Sequence, residues 1–189
     1  MKRLFLAVKI IPDDKLLTVY QDIKEKCRLS KIKWVDDHLF HITLKFFGET
    51  PEFKIDDIIE VMENVSLLYK PFSFELKGVG VFGSSYRPRV IWFGVINHKR
   101  LVQLNQELLT LLEERGFKND RQNFVPHLTV GRIKYIQDKV RLKQIVEQYQ
   151  NISLQQVEVN KIILYESVLA KKGPQYFPVH EVLLKDSMA

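Results

Sequence analysis

Phe40-His41-Ile42-Thr43-Leu44-Lys45-Phe46 and Pro126-His127-Leu128-Thr129-Val130-Gly131-Arg132 state one pattern twice, a His-x-Thr set in a strand-forming stretch. The two histidines lie 86 positions apart. The same offset lays Arg3-Leu4-Phe5-Leu6-Ala7-Val8 over Arg89-Val90-Ile91-Trp92-Phe93-Gly94, and Phe72-Ser73-Phe74-Glu75-Leu76 over Glu158-Val159-Asn160-Lys161-Ile162. Order and spacing kept at three points predict an internal duplication, with repeats at about residues 3–82 and 89–168. Solenoid repeats run at roughly 20–50 residues, so two copies this long predict two similar lobes of one body.

Residues two apart in a strand share a face. His41 and Thr43 therefore project together, with Ile42 and Leu44 behind, and His127 and Thr129 do the same. If the lobes face each other, two imidazoles meet across a cleft. One can take a proton from an attacking water while the other gives one to a leaving oxygen at phosphorus. The unperturbed imidazole pKa of about 6.5 lets both forms exist near neutrality, and threonine hydroxyls can bind the non-bridging oxygens. A single histidine in a strand is more often structural, and threonine is a common strand former. The repetition at matched places favours chemistry.

Composition narrows the field. The chain has 189 residues, 46% of them hydrophobic, enough for one domain or two packed lobes. Its net charge of +6 would attract a phosphate-bearing ligand, although many proteins are this basic. Cys27 is the only cysteine, which excludes an internal disulfide and fits a reducing compartment. The opening apolar run resembles a signal peptide only until Lys9 and Pro12-Asp13-Asp14 interrupt it. No stretch approaches the roughly 18 apolar residues of a membrane span. A cytoplasmic protein with no membrane association is expected.

Strands are expected at Leu4–Ile10, Ile32–Val35, Phe40–Phe47, Phe72–Phe82, Val90–Ile96, His127–Ile133, Leu154–Ser167 and Tyr176–Leu184. Helices are expected after the turn and cap of Pro12-Asp13-Asp14 through about Arg28, and at about Ile55–Leu68, Arg100–Arg115 and Gln137–Gln150. The first would bury Leu16, Leu17, Tyr20, Ile23 and Cys27, and the third Leu101, Leu104, Leu108, Leu111 and Leu112. Gly83-Ser84-Ser85-Tyr86-Arg87-Pro88 joins the copies and is expected to cross between lobes. The fold expected is α+β: two pseudo-symmetric lobes, each a mostly antiparallel sheet with helices outside, and a central cleft.

Over nearly its whole length the chain resembles the 2H phosphoesterases, and among them the RNA 2′,3′-cyclic phosphodiesterases of the LigT-like type. The resemblance rests on Arg3 to Val8, on Trp34-Val35 through His41-Ile42-Thr43-Leu44-Lys45-Phe46-Phe47-Gly48-Glu49, on Gly78-Val79-Gly80-Val81-Phe82 leading to Arg87-Pro88-Arg89-Val90-Ile91-Trp92, and on Arg121 through Pro126-His127-Leu128-Thr129. It implies metal-free, cofactor-free hydrolysis of an RNA-terminal 2′,3′-cyclic phosphate to a 2′-phosphate, with 2′,5′ joining or cutting as related chemistry. His41 would be the proton donor and His127 the acceptor. The residues themselves do not assign that direction.

The resemblance also implies that Phe46 and Arg132, which match under the offset, flank the terminal base by stacking and cation-π contact. Regular strand parity turns both away from the histidines, unless a bend near Gly131 or at Phe47-Gly48 restores them. Lys45 would share the face of Thr43 and could steer phosphate, while Arg87, Arg89 and Arg121 are candidate backbone contacts. His38, His98 and His180 have no motif partner and are expected on loops or surface strands. Competing readings are a phosphodiesterase for a small cyclic nucleotide or a 2′,5′ oligonucleotide, and a non-catalytic RNA-binding module. A metal hydrolase is disfavoured because no His-Glu-x-x-His or cysteine pair accompanies the histidines. Two lobes complete a cleft without a second copy, so a monomer suffices.

Overall fold

The computed structural model describes residues 1–118, 123–171 and 173–185. The chain runs β1 (Lys2–Lys9), α1 (Asp14–Lys26), β2 (Lys31–Trp34), β3 (His41–Thr50), α2 (Ile55–Ser66), β4 (Phe72–Gly83), β5 (Pro88–Ile96), α3 (Lys99–Glu114), β6 (His127–Tyr135), α4 (Lys139–Tyr149), β7 (Ser153–Val159), β8 (Lys161–Ala170) and β9 (Gly173–Leu183). The strands form two antiparallel sheets, ordered β3-β1-β8-β9 and β2-β6-β5-β4-β7. The α+β architecture of two similar lobes is as the sequence predicts.

The route between lobes differs from expectation. Residues 83–88 do not cross: β4 and β5 are hydrogen-bonded neighbours, and the segment is the hairpin turn between them. The crossings lie elsewhere. After β3 in the first sheet, α2 leads to β4 in the second; Asn160 then splits the strand expected over Leu154–Ser167 into β7 of the second sheet and β8 of the first. The periodicity is uninterrupted there, so only the pairing partners reveal the break. Each sheet thus takes its motif strand and that strand's neighbour from one half of the chain, and the next strand from the other.

The helices exchange in the same way. Leaving the first sheet, α1 packs against β7 and α4 of the second, while α2 packs against β8, β9 and α3. Asp13 caps α1 by accepting from the Leu16 amide at 2.8 Å, satisfying one of the free amides at the helix start. The buried stripe of α1 is Leu16, Val19, Tyr20 and Ile23; Leu17 is only half-buried. In α3 the inward face holds Asn105 as well as Leu101, Leu104, Leu108 and Leu112, with Leu111 half-buried. Leu4, Leu6 and Val8 join this helix-covered core, as do Ile91, Phe93, Leu128 and Val130.

Pairing also corrects the register of the repeat. Phe5, Leu6 and Ala7 oppose Phe46, Lys45 and Thr43, whereas Val90, Ile91 and Trp92 oppose Arg132, Gly131 and Thr129. Phe5 is therefore equivalent to Val90, an offset of 85 between β1 and β5 beside the 86 of the motifs. A one-residue slip exchanges the faces of a strand. At 86, core-facing Leu6 would match Trp92; at 85, Ala7 matches it, and Leu6 and Val8 fall on buried Ile91 and Phe93.

Candidate active site

His41 opens β3 and His127 opens β6, the motif strands of the two sheets, and these strands touch. His41 Nδ1 lies 2.7 Å from the Leu39 carbonyl, and His127 Nδ1 lies 2.8 Å from the Val125 carbonyl. A carbonyl only accepts, so each ring donates from Nδ1. That fixes the tautomer of the neutral ring and leaves Nε2 as the working nitrogen, a base when bare and an acid when protonated. The same device serves both rings, so it does not distinguish donor from acceptor.

Both motif strands bulge at an equivalent position, and β3 breaks register a second time at Phe47. Against β1 the ladder skips Leu44, and against β5 it skips Val130, its equivalent under the 86-residue offset. A bulge adds one residue and reverses the facing of those beyond it. Phe46 consequently opposes Phe5, on the face of Ala7 and Thr43, and its ring lies 5.8 Å from that of Phe5. Arg132 opposes Val90, on the face of Trp92 and Thr129. The bulges thus bring Phe46 and Arg132 to the face of the histidines, from different sheets. Phe46 is 57% exposed, which excludes core packing.

Lys45 turns the other way. It opposes Leu6, is buried, and donates from Nζ to the Lys118 carbonyl at 2.8 Å. The sequence expectation that it shares the face of Thr43 fails because the bulge reverses it.

Aromatic rings frame each imidazole. His41 packs 5.1 Å from Phe5 and edge-on at 5.4 Å from Tyr176, while His127 meets Phe82 edge-on at 4.8 Å. Burial pushes the His41 pKa down to about 4. The Leu39 hydrogen bond opposes this shift, and the charges of Lys9, Arg132 and His127 add to it. The free protein therefore holds His41 neutral at pH 7. Burial raises the Tyr176 phenol, and the charges of Arg132 and Arg3 oppose that shift.

A cavity of about 920 Å³ adjoins the motifs, with Thr43, Phe46, Phe82, Arg87, Arg89 and His127 in its wall. A second hollow, of about 480 Å³, lies by Cys27 and Arg141, on residues apart from both motifs. Among the described residues, no three histidine, cysteine or acidic side chains gather as a metal site would require. Nor, among those residues, is any helix long and apolar enough to cross a membrane.

His38 is exposed, in a short 3-10 turn; His98 precedes α3; His180 sits on β9 with Nε2 3.4 Å from Glu63. Arg121 falls outside the described residues. Sequence reading missed Phe5, Tyr176, Phe82 and Asn105. Phe5 was readable from alternation, since it falls between core-facing Leu4 and Leu6. Tyr176 was not, because its place beside His41 depends on β9 joining the first sheet through β8. Asn105 is wholly buried and donates from Nδ2 to the Leu44 carbonyl at 2.7 Å, holding the bulge.

Residues 6–169 match the model of the 2′-5′ RNA ligase superfamily. A Methanocaldococcus jannaschii protein named RNA 2′,3′-cyclic phosphodiesterase is 37% identical over 179 residues, covering 95% of this chain and 99% of its own. A protein of the same name from Aquifex aeolicus is 37% identical over 80% of this chain and 81% of its own. The crystal structure of TT0787 of Thermus thermophilus superimposes with a TM-score of 0.78 at 25% identity, covering 96% of this chain and 97% of that one. E. coli LigT complexed with 3′-AMP shares the fold, with a TM-score of 0.75 at 20% identity over 98% of this chain and 99% of that one.

Proposed function

Because the chain belongs to the 2′-5′ RNA ligase superfamily, we propose that it is an RNA 2′,3′-cyclic phosphodiesterase, hydrolysing the terminal cyclic phosphate to a 2′-phosphate. The observation that carries this reading is the bulge repeated after each His-x-Thr, which gives both sheets the same polar face where they meet. The relatives' names supply the substrate class.

In the proposed reaction, water attacks phosphorus and gives its proton to His127 Nε2. The bond from phosphorus to O3′ breaks, and His41 Nε2–H protonates that oxygen, leaving a 3′-hydroxyl and a 2′-phosphate. Thr43 and Thr129 donate to the non-bridging oxygens, where charge gathers in the transition state. Phe46 and Arg132 contact the terminal base from opposite walls. The donor role requires a cationic His41 in the complex, although burial leaves the ring neutral beforehand. The bound phosphate anion supplies the opposite charge that favours its protonation. With an RNA 5′-hydroxyl in place of water, the same displacement joins two strands through a 2′,5′ linkage.

The reaction is proposed to need no metal or cofactor. The proposed working unit is a cytoplasmic monomer unattached to membrane, one bilobal domain over residues 1–189 that derives from duplication of segments 3–82 and 89–168. The test is turnover of a 2′,3′-cyclic-phosphate-terminated RNA in the presence of EDTA. His41→Ala and His127→Ala should each lower kcat by about 10²-fold or more. Unchanged turnover in either variant would overturn its assigned role; loss in EDTA would overturn only the metal-free part. Binding without product, or a preference for a small cyclic nucleotide, would replace the RNA hydrolase reading.

A further inference from the structure

The β4–β5 hairpin faces the cavity with groups that terminal phosphate chemistry does not use. Arg87 and Arg89 line the wall, together with Phe46, Phe82 and Phe124, and among the described residues no acidic side chain lines it. Among the described residues, neither guanidinium has an ion-pair partner. Unpaired arginines beside aromatic rings suit a polyanion with bases.

The turn has a defined shape. The Arg87 amide lies 3.0 Å from both the carbonyl and the hydroxyl of Ser84. Gly83 has φ +113°, and a Cβ there would stand 2.4 Å from the Arg87 carbonyl oxygen. Only glycine fits without rebuilding the turn. At its tip Tyr86 is 86% exposed, an aromatic ring in water next to two cations.

We propose that this hairpin receives the single-stranded RNA immediately 5′ of the terminal nucleotide. Arg87 and Arg89 grip successive backbone phosphates, and Tyr86 offers its ring to an upstream base. The inference rests on the RNA hydrolase reading, because the cyclic phosphate must lie at the histidines for the strand to leave along the cavity past Phe46 and Phe82. It makes the substrate an RNA strand, as opposed to a lone cyclic nucleotide.

The test compares a cyclic mononucleotide with a tetranucleotide ending in the same 2′,3′-cyclic phosphate, in the wild-type protein and in R87Q/R89Q. The wild type should prefer the tetranucleotide in kcat/KM, and the double variant should lose about tenfold or more of that preference. Each phosphate contact to a single strand contributes roughly 0.7 to the log-log salt slope, so the slope for the tetranucleotide should flatten by about 1.4. An equal fall on both substrates, or no fall, would overturn the inference. If neither substrate turns over, the reaction reading fails by itself. Fluorescence anisotropy with a 3′-phosphorylated tetranucleotide then decides the hairpin: weaker binding by R87Q/R89Q sustains it, and unchanged binding overturns it.

Discussion

His41 joins two demands that pull against each other. Its ring is packed against Phe5 and Tyr176, and burial lowers its pKa to about 4. In the free protein His41 therefore exchanges its proton near pH 4, and kcat/KM should show a limb there, below the ordinary imidazole value of about 6.5. Tyr176→Ala readmits water to the ring and should move the limb upward; a wild-type limb near 6.5 would refute the assignment. Stability carries the same imprint. The folded pKa is below the unfolded one, so between about 6.5 and 4 the unfolded chain binds the proton and the folded protein does not. The His41 contribution is full above that window, declines as pH falls through it by at most about 1.4 kcal/mol per pH unit, and changes no further below pH 4. Urea midpoints of the wild type and His41→Asn, measured between pH 7 and 4.5, should show a shallower loss in the variant. The imidazole positions were legible because they repeat, but the neutral state of one was not, since it depends on rings brought from β1 and β9.

At the scale of the element, two bulges decide which side chains reach the cleft. Alternation in an ideal strand puts Lys45 on the face of Thr43 and Phe46 on the opposite face, and the inserted Leu44 exchanges them. A bulge adds a residue without altering composition, so hydropathy along β3 gave no sign of it. Its support comes from a helix: Asn105 of α3 binds the Leu44 carbonyl while wholly buried. Asn105→Leu keeps approximate volume and leaves that carbonyl unpaired, an expected loss of about 1–3 kcal/mol. A lowered urea midpoint at unchanged slope, with a raised KM for cyclic-phosphate RNA as Phe46 shifts, would bear this out. Unchanged stability would show that the hydrogen bond does not hold the bulge. A similar close fit holds Trp92, whose indole lies over Gly80. A Cβ at residue 80 would come within 2.2 Å of that ring. Gly80→Ala must displace Trp92 and Phe82, which packs on it at 5.0 Å and meets His127. Overpacking of this kind costs about 1–3 kcal/mol. Turnover should fall with stability in that variant, and an active protein of unchanged melting temperature would contradict the packing assigned to Trp92.

At the scale of the molecule, element order was readable from local signals, namely apolar alternation, caps and turns. The exchange of strands between lobes was not. β4 and β8 have the same alternation whichever sheet they enter, and only pairing across the chain assigns them. Yet this exchange governs how the protein holds together. The first sheet needs β1 and β3 from before the 83–88 turn and β8 and β9 from after it; the second needs β2 and β4 from before and β5, β6 and β7 from after. A chain divided between Ser85 and Tyr86 should therefore yield two pieces that each leave a sheet edge and an apolar face uncovered. Neither piece alone should unfold cooperatively on heating. Produced together, they should associate into a species with a single cooperative transition and recovered turnover of a cyclic mononucleotide, which does not reach the hairpin, because the cut falls in an exposed turn and severs no strand. Cooperative folding of residues 1–85 alone would mean that the first repeat forms its own lobe, contrary to the observed pairing of β4 with β5 and of β1 with β8.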